Sequence, residues 1–420
     1  MAFRTWTSLL VIAAGTGLPG LALAQSLEPN EIKLDTERLE AGIYPASPDA
    51  APQEPGQLPF HFDWSLGLKG SYTSSSTEGG AFTTTLNPAF SAVHDGRRVD
   101  VTLDGDAEIT RPWDGSGDIG VTAVRLGLSG TGLLDRDTRI SGTAGLTLDQ
   151  PLSATPTLDP VILTSPQVLT GSVGLGVERS LGKVNLGLKG NLERTIYGET
   201  ERADTGLTDN AGRNLWQADT SLRAGVQVTP ILEVFGEASL GRDMFDVAVP
   251  GGVLADATSR ALRGGIAGRW NGVWTASASV GVGYHDFDDT RLSDITTRLY
   301  DASISYSPDA TLNLTASLST TIDPVGPDAS GTARVSHVAA AGLAYTINSW
   351  LRLRASADWG HSTLEDSGET ERRKGAGAGA DYVINRHTAL TADYTYVHRD
   401  NSNTGVLDTH TVGVGITIRR

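Results

Sequence analysis

From Phe60 to the C-terminus, apolar and polar residues alternate with period two. Phe60, Phe62, Trp64, Leu66, Leu68, Gly70 and Tyr72 interleave with His61, Asp63, Ser65, Gly67, Lys69 and Ser71. Successive side chains of a strand point to opposite faces, so this pattern predicts strands with one apolar and one polar face. Val99, Val101, Leu103, Gly105, Ala107 and Ile109 repeat it against Asp100, Thr102, Asp104, Asp106, Glu108 and Thr110. Similar sets recur through Trp216–Val228, Trp274–Tyr284 and Val412–Ile418. Counting them gives about 18 strands, with 16 possible, or about 20 residues per strand and connection. A tilted membrane-spanning strand of about 9–11 residues plus a turn or loop needs that length.

The connections are of two kinds, and they alternate. Short ones, such as Asn271-Gly272 and Asn348-Ser349, lie between long ones, such as Asp149–Ser165, Gly198–Arg213, Asp323–Gly331 and Gly360–Arg373. Short turns at one end and long loops at the other predict an all-β fold: a closed antiparallel transmembrane up-and-down β-barrel with periplasmic turns and extracellular loops. Aromatic residues cluster at predicted strand ends, as interfacial girdles require. Trp270, Trp274, Tyr306, Tyr345 and Trp350 fall at the turn end, and Tyr72, Trp216, Tyr284, Trp359 and Tyr396 at the loop end. Because hydrocarbon offers no hydrogen bonds to an exposed strand edge, the sheet must close, joining the Phe60 strand to the strand ending at Ile418.

That last strand reads Thr411-x-Gly413-x-x-Ile416-x-Ile418, similar to the signal recognised by barrel-assembly machinery, although Arg419-Arg420 stand where many porins end on an aromatic residue. With its acidic, Pro-rich lead-in and Arg-ending last strand, the chain from residue 60 to 420 resembles the putative β-barrel porin 2 type of Gram-negative outer-membrane protein. The resemblance implies a large barrel with a transport role, and association with exopolysaccharide export as an alternative.

Composition narrows the chemistry. Met1–Ala24 has one basic residue, Arg4, an apolar stretch and Ala22-Leu23-Ala24, the form of a secretory signal peptide that sends the chain through the Sec route to the outer membrane. Residues 25–59 carry six prolines and a surplus of acids, composing a periplasmic segment, and 60–420 form the barrel. Zero cysteines exclude disulfides and thiolate chemistry, and a net charge of −16 disfavours nucleic acid as a partner. No G-x-S-x-G, H-E-x-x-H or phosphate-loop motif occurs, so neither an enzyme nor a cofactor is expected. Two weak clusters stand out: His361-Ser362 near Asp358, suggestive of a rim hydrolase, and His285–Asp289 as a calcium-binding loop.

The polar faces hold the remaining chemistry. Acids Asp100, Asp104, Asp106, Glu108, Glu233 and Glu237 fall on earlier strands, and Arg263, Arg269, Arg334, Arg352 and Arg354 on later ones. These are the candidate pore-lining residues: opposite charges on different parts of the wall would set a transverse field across a water-filled channel. The expected function is passive passage of small hydrophilic solutes or ions, with a plugged or structural barrel as the alternative. Expected partners are outer-membrane lipid and lipopolysaccharide, the assembly machinery, the solutes, and other copies in a homo-oligomer.

Overall fold

The structure, a computed structural model, describes residues 60–77, 79–113, 117–151, 161–248, 252–327, 329 and 331–420. The expected signal peptide and acidic segment lie outside the described residues. The first eleven strands are β1 (Phe60–Ser75), β2 (Gly80–Asp95), β3 (Val99–Pro112), β4 (Gly120–Leu133), β5 (Thr138–Asp149), β6 (Ile162–Thr164), β7 (Val168–Leu181), β8 (Val184–Tyr197), β9 (Thr200–Arg202), β10 (Gly206–Thr208) and β11 (Leu215–Thr229). There follow β12 (Leu232–Phe245), β13 (Ala257–Trp270), β14 (Trp274–Phe287), β15 (Ile295–Tyr306) and β16 (Leu312–Pro324). The last five are β17 (Ala333–Asn348), β18 (Leu351–Leu364), β19 (Glu369–Asn385), β20 (Thr388–Asn401) and β21 (Gly405–Arg419).

Eighteen of these strands form one antiparallel sheet, each paired with its neighbours in sequence. The sheet closes where β1 meets β21, with Leu66 opposite Ile418 and Tyr72 opposite Val412. Trp64 and Arg420 exchange backbone hydrogen bonds at the seam, at 3.3 and 3.0 Å. The three short strands β6, β9 and β10 form a separate small sheet between two loops. This confirms the barrel and its strand number.

Alternation explains the two faces. Leu222 on β11 is 56% exposed and Val280 on β14 is 62% exposed, and both stand on the outer wall. In water such exposure would be costly, whereas in hydrocarbon it is the stable arrangement. The turn at Asn271 and Gly272 has φ of 51° and 70°, the left-handed pair that matches hairpin twist and that asparagine and glycine tolerate. It sets Trp270 opposite Trp274.

Two departures from the sequence expectation are informative. The Gly360–Arg373 loop is shorter than expected, because β18 runs to Leu364 and β19 starts at Glu369. Its polar residues satisfy the ladder above the apolar band, and polarity alone does not end a strand. The second departure is at β15 and β16, whose ladder spans only Ala302 opposite Leu318 to Tyr306 opposite Leu314. Above it β16 leaves the wall while staying paired with β17 up to Pro324 opposite Ala333.

Placement on the two faces gives a direct test. Leu222→Lys should destabilise the barrel by about 2–4 kcal/mol if the residue lies near the bilayer midplane. Ser221→Lys, one residue away on the lumen face, should change stability far less. Urea-dependent folding into lipid vesicles measures both, and equal effects would contradict the assigned faces.

Candidate functional site

Register places all eleven charged candidates on the inner face, opposite the exposed aliphatic residues. Most engage a neighbouring strand. Arg125 on β4 reaches Asp106 at 2.9 Å, Glu108 at 3.3 Å and Asp149 at 3.6 Å. Arg223 holds Glu233 at 2.8 Å, and Arg263 lies 3.8 Å from Glu237. Arg354 bridges Asp381 at 2.9 Å and Asp393 at 2.8 Å, while Lys69 approaches Asp393 at 3.3 Å across the β20–β21–β1 side. Arg334 faces Glu371 at 3.6 Å, and Asp100 accepts the Gly96 N–H at 3.2 Å in a turn. Among the described residues Asp104, Arg269 and Arg352 have no ion-pair partner within 4.0 Å. Thus the acids and arginines are interleaved locally more than they are set on opposing walls.

Lys69, Arg125, Arg223, Asp381 and Asp393 are part of this network but were not among the candidates. The period-two alternation carries the signal for them, since each shares the polar face of its strand. Glycines make room for the network. A Cβ at Gly379 would sit 2.6 Å from Asp393 Oδ1 and 3.1 Å from Arg354 Nη2. The Gly375–Gly379 run accordingly turns its glycines to the lumen and its alanines outward.

The loop end of the lumen is packed. Inner-face residues Ala123, Val168, Leu215, Ala257, Leu364 and Leu407 are buried, on strands spread around the barrel. At the turn end Asp100 and Arg269, also on the inner face, are exposed. The upper β16–β17 hairpin contributes to this packing. By register Ile322, Ala333 and Val335 belong to its outer face, yet Ala333 and Val335 share a buried cluster with Leu215, Phe245, Ala257, Phe287 and Ile295, and Ile322 packs on it. Those partners are inner-face residues of β11–β15. An outer face can meet an inner face only if the hairpin is tucked inside the barrel. Its departure leaves the Tyr300 N–H facing Thr320 Oγ1 at 3.3 Å in place of a ladder bond. The hairpin's other face carries Asp323 and Arg334, both buried.

The two weak clusters separate. His361 and Ser362 are consecutive on β18 and therefore face opposite sides of the wall, with Ser362 bonded to Ser336 at 3.1 Å. This corrects the hydrolase suggestion. His285 and Phe287 are strand residues on the lumen side, not members of a loop. Asp288 is held by Arg242, and Asp289 by Arg291, whose hydrogen bonds push the Asp289 carboxyl down to about 2. Among the described residues no group of three potential metal ligands assembles.

The aromatic candidates form two rings. Trp270, Trp274, Tyr306, Tyr345 and Trp350 mark the turn end, with Trp274 and Tyr306 centroids 4.1 Å apart. Tyr72, Trp216, Tyr284, Trp359 and Tyr396 lie towards the loop end of their strands.

A closed 18-stranded barrel with an apolar outer band, two aromatic rings and a polar interior defines an outer-membrane porin fold. The chain belongs to the family described as Putative beta-barrel porin 2, matched over residues 64–420. It resides in the bacterial outer membrane, and its family is one of channels, not enzymes. No curated protein matches it. Similar solved structures include Pseudomonas aeruginosa OpdK with vanillate, 13% identical, covering 86% of this chain and 99% of that one, with a TM-score of 0.43. A BenF-like porin from Pseudomonas fluorescens Pf-5 is 13% identical over 86% and 99%, with a TM-score of 0.42. Acinetobacter baumannii OccAB3 is 11% identical over 86% and 100%, with a TM-score of 0.41.

The ion network predicts a specific energetic response. Arg354→Met leaves Asp381 and Asp393 facing each other without their shared cation, and should cost about 1.5–3 kcal/mol. Adding Asp381→Asn should recover part of that loss. Unfolding titrations of the single and double variants measure the coupling.

Proposed function

We propose that this barrel is a passive channel for small hydrophilic solutes or ions, narrowed at its extracellular mouth by the inward-folded β16–β17 hairpin. The observation that carries this is the contrast along the lumen: charged and open to water at the periplasmic end, packed around the hairpin at the other. An 18-stranded barrel is wide enough for an aqueous interior. The local ion pairs give a wall of alternating charge along which hydrated solutes exchange water for side-chain contacts. The unpaired Asp104, Arg269 and Arg352 are the groups with most freedom to meet a permeating ion. The packed mouth also favours a second reading, a closed structural barrel, which needs the same residues.

Planar-bilayer recording separates them. The purified protein should show conductance steps, and replacing Asp323–Arg334 by a short Gly-Ser turn should enlarge them. Absence of steps in both proteins would remove the channel reading. Replacing Asp104 and Asp106 by Asn should reduce cation preference, seen as a shifted reversal potential in a salt gradient. An unchanged potential would take those two carboxylates off the permeation path.

A further inference from the structure

Charged residues on the outer wall are distributed unevenly. Among the described strands, Arg111, Arg194, Arg242, Arg260, Arg298, Arg372 and Lys374 all face outward near the loop end. At the turn end Arg179 is the outward-facing cation within a strand, close to the turn aspartate Asp135. An arginine facing hydrocarbon is costly, so its place is the headgroup layer.

Four of these arginines form a continuous belt. Register aligns Arg194 on β8 with Trp216 on β11, and Trp216 with Met244 on β12. Arg242 lies two residues nearer the turn end than Met244 and is opposite Thr258 on β13. Arg260 lies two residues nearer the turn end than Thr258 and is opposite Tyr284 on β14. Tyr284 is opposite Thr296 on β15, and Arg298 is again two residues nearer the turn end. Following the register around the barrel climbs towards the loops: Ser65, low on β1, lies level with Ala89, and the ladder from there reaches the top of β12. The repeated two-residue steps offset that climb and hold the four guanidinium groups at one depth.

The belt sits at the aromatic ring. Arg194 lies over Trp216 at 5.3 Å, and Arg298 is two residues from Tyr300 on the same face. Arg194 and Arg242 are engaged by the loop carboxylates Asp246 and Asp288, which these hydrogen bonds hold below the usual carboxylate range. Arg260 is more open, with 63% side-chain exposure and a 3.5 Å contact to Asp286. Arg298 is exposed and has no ion-pair partner among the described residues. The pair therefore flanks Tyr284 across two strand spacings, about 10 Å.

We propose that Arg260, Arg298 and Tyr284 form an external binding site for a phosphorylated glycolipid of the outer leaflet. The guanidinium forks match phosphate oxygens, and the tyrosine ring offers a face for the sugar that bears them. A cation at headgroup depth that lacks an ion-pair partner, as Arg298 does, draws anionic lipid.

The test uses purified full-length protein in detergent with diphosphorylated lipid A as the probe. Arg260→Gln/Arg298→Gln should weaken binding by about tenfold or more, and dephosphorylated lipid A should bind the native protein correspondingly poorly. The single variant Arg298→Gln disrupts no ion pair among the described residues and should also bind more weakly. Arg179→Gln should bind like the native protein. Heat-modifiable migration and bilayer conductance, which should match the native protein, verify that each variant is a folded barrel. Equal lipid A affinity for native and double-variant protein would overturn the proposal, as would equally strong binding of phosphatidylglycerol or dephosphorylated lipid A at this site.

Discussion

Everything in this molecule follows from one constraint: within hydrocarbon, each backbone N–H and C=O must find its partner inside the protein. A sheet of tilted strands meets that condition only when its first strand pairs with its last, as β1 does with β21 along Leu66–Ile418 and Tyr72–Val412. Closure then assigns the faces, apolar to lipid and polar to the interior. The exception is equally instructive. Where the β15–β16 ladder stops above Ala302 and Leu318, Tyr300 donates to Thr320 Oγ1 and the hairpin folds inward. A missing ladder bond costs on the order of 1 kcal/mol, while burying each large apolar side chain contributes about 1.5–3 kcal/mol. Ile295, Leu299, Phe287 and Val335, all buried, are enough to offset several lost bonds.

The interior follows a different rule, because charges inside a narrow polar space need nearby partners. Arg125 with Asp106, Glu108 and Asp149, and Arg354 with Asp381 and Asp393, share one cation among several acids. Glycines at the same level, such as Gly379, supply the room these side chains occupy. The high glycine content, 50 residues, thus serves a crowded charged wall as well as the bending of the sheet. The outer wall uses charge in another way, confining its arginines to the depth at which lipid headgroups lie.

The alternation of Phe60–Tyr72 and Val99–Ile109 was sufficient to read the barrel, its approximate strand number and the inward placement of every charged candidate, because period two is a local property of each strand. Turn chemistry was also legible at Asn271-Gly272, where positive φ at both residues selects those side chains. Loop ends were less so: Gly360–Arg373 reads as a loop by polarity, but a strand rising out of the membrane remains a strand while its ladder continues. Which acid meets which arginine depends on register between strands, and the sequence of one strand carries no record of its offset from the next.

By itself the sequence determined the class of fold and the two-faced wall, since these follow from short-range periodicity. Tertiary structure alone decided that Arg354 meets Asp393, that four arginines share one depth, and that Ile322 and Val335, outward by their own alternation, are turned inside the barrel. Each of these depends on how distant segments are placed around a closed ring, a geometry fixed only when the last strand joins the first.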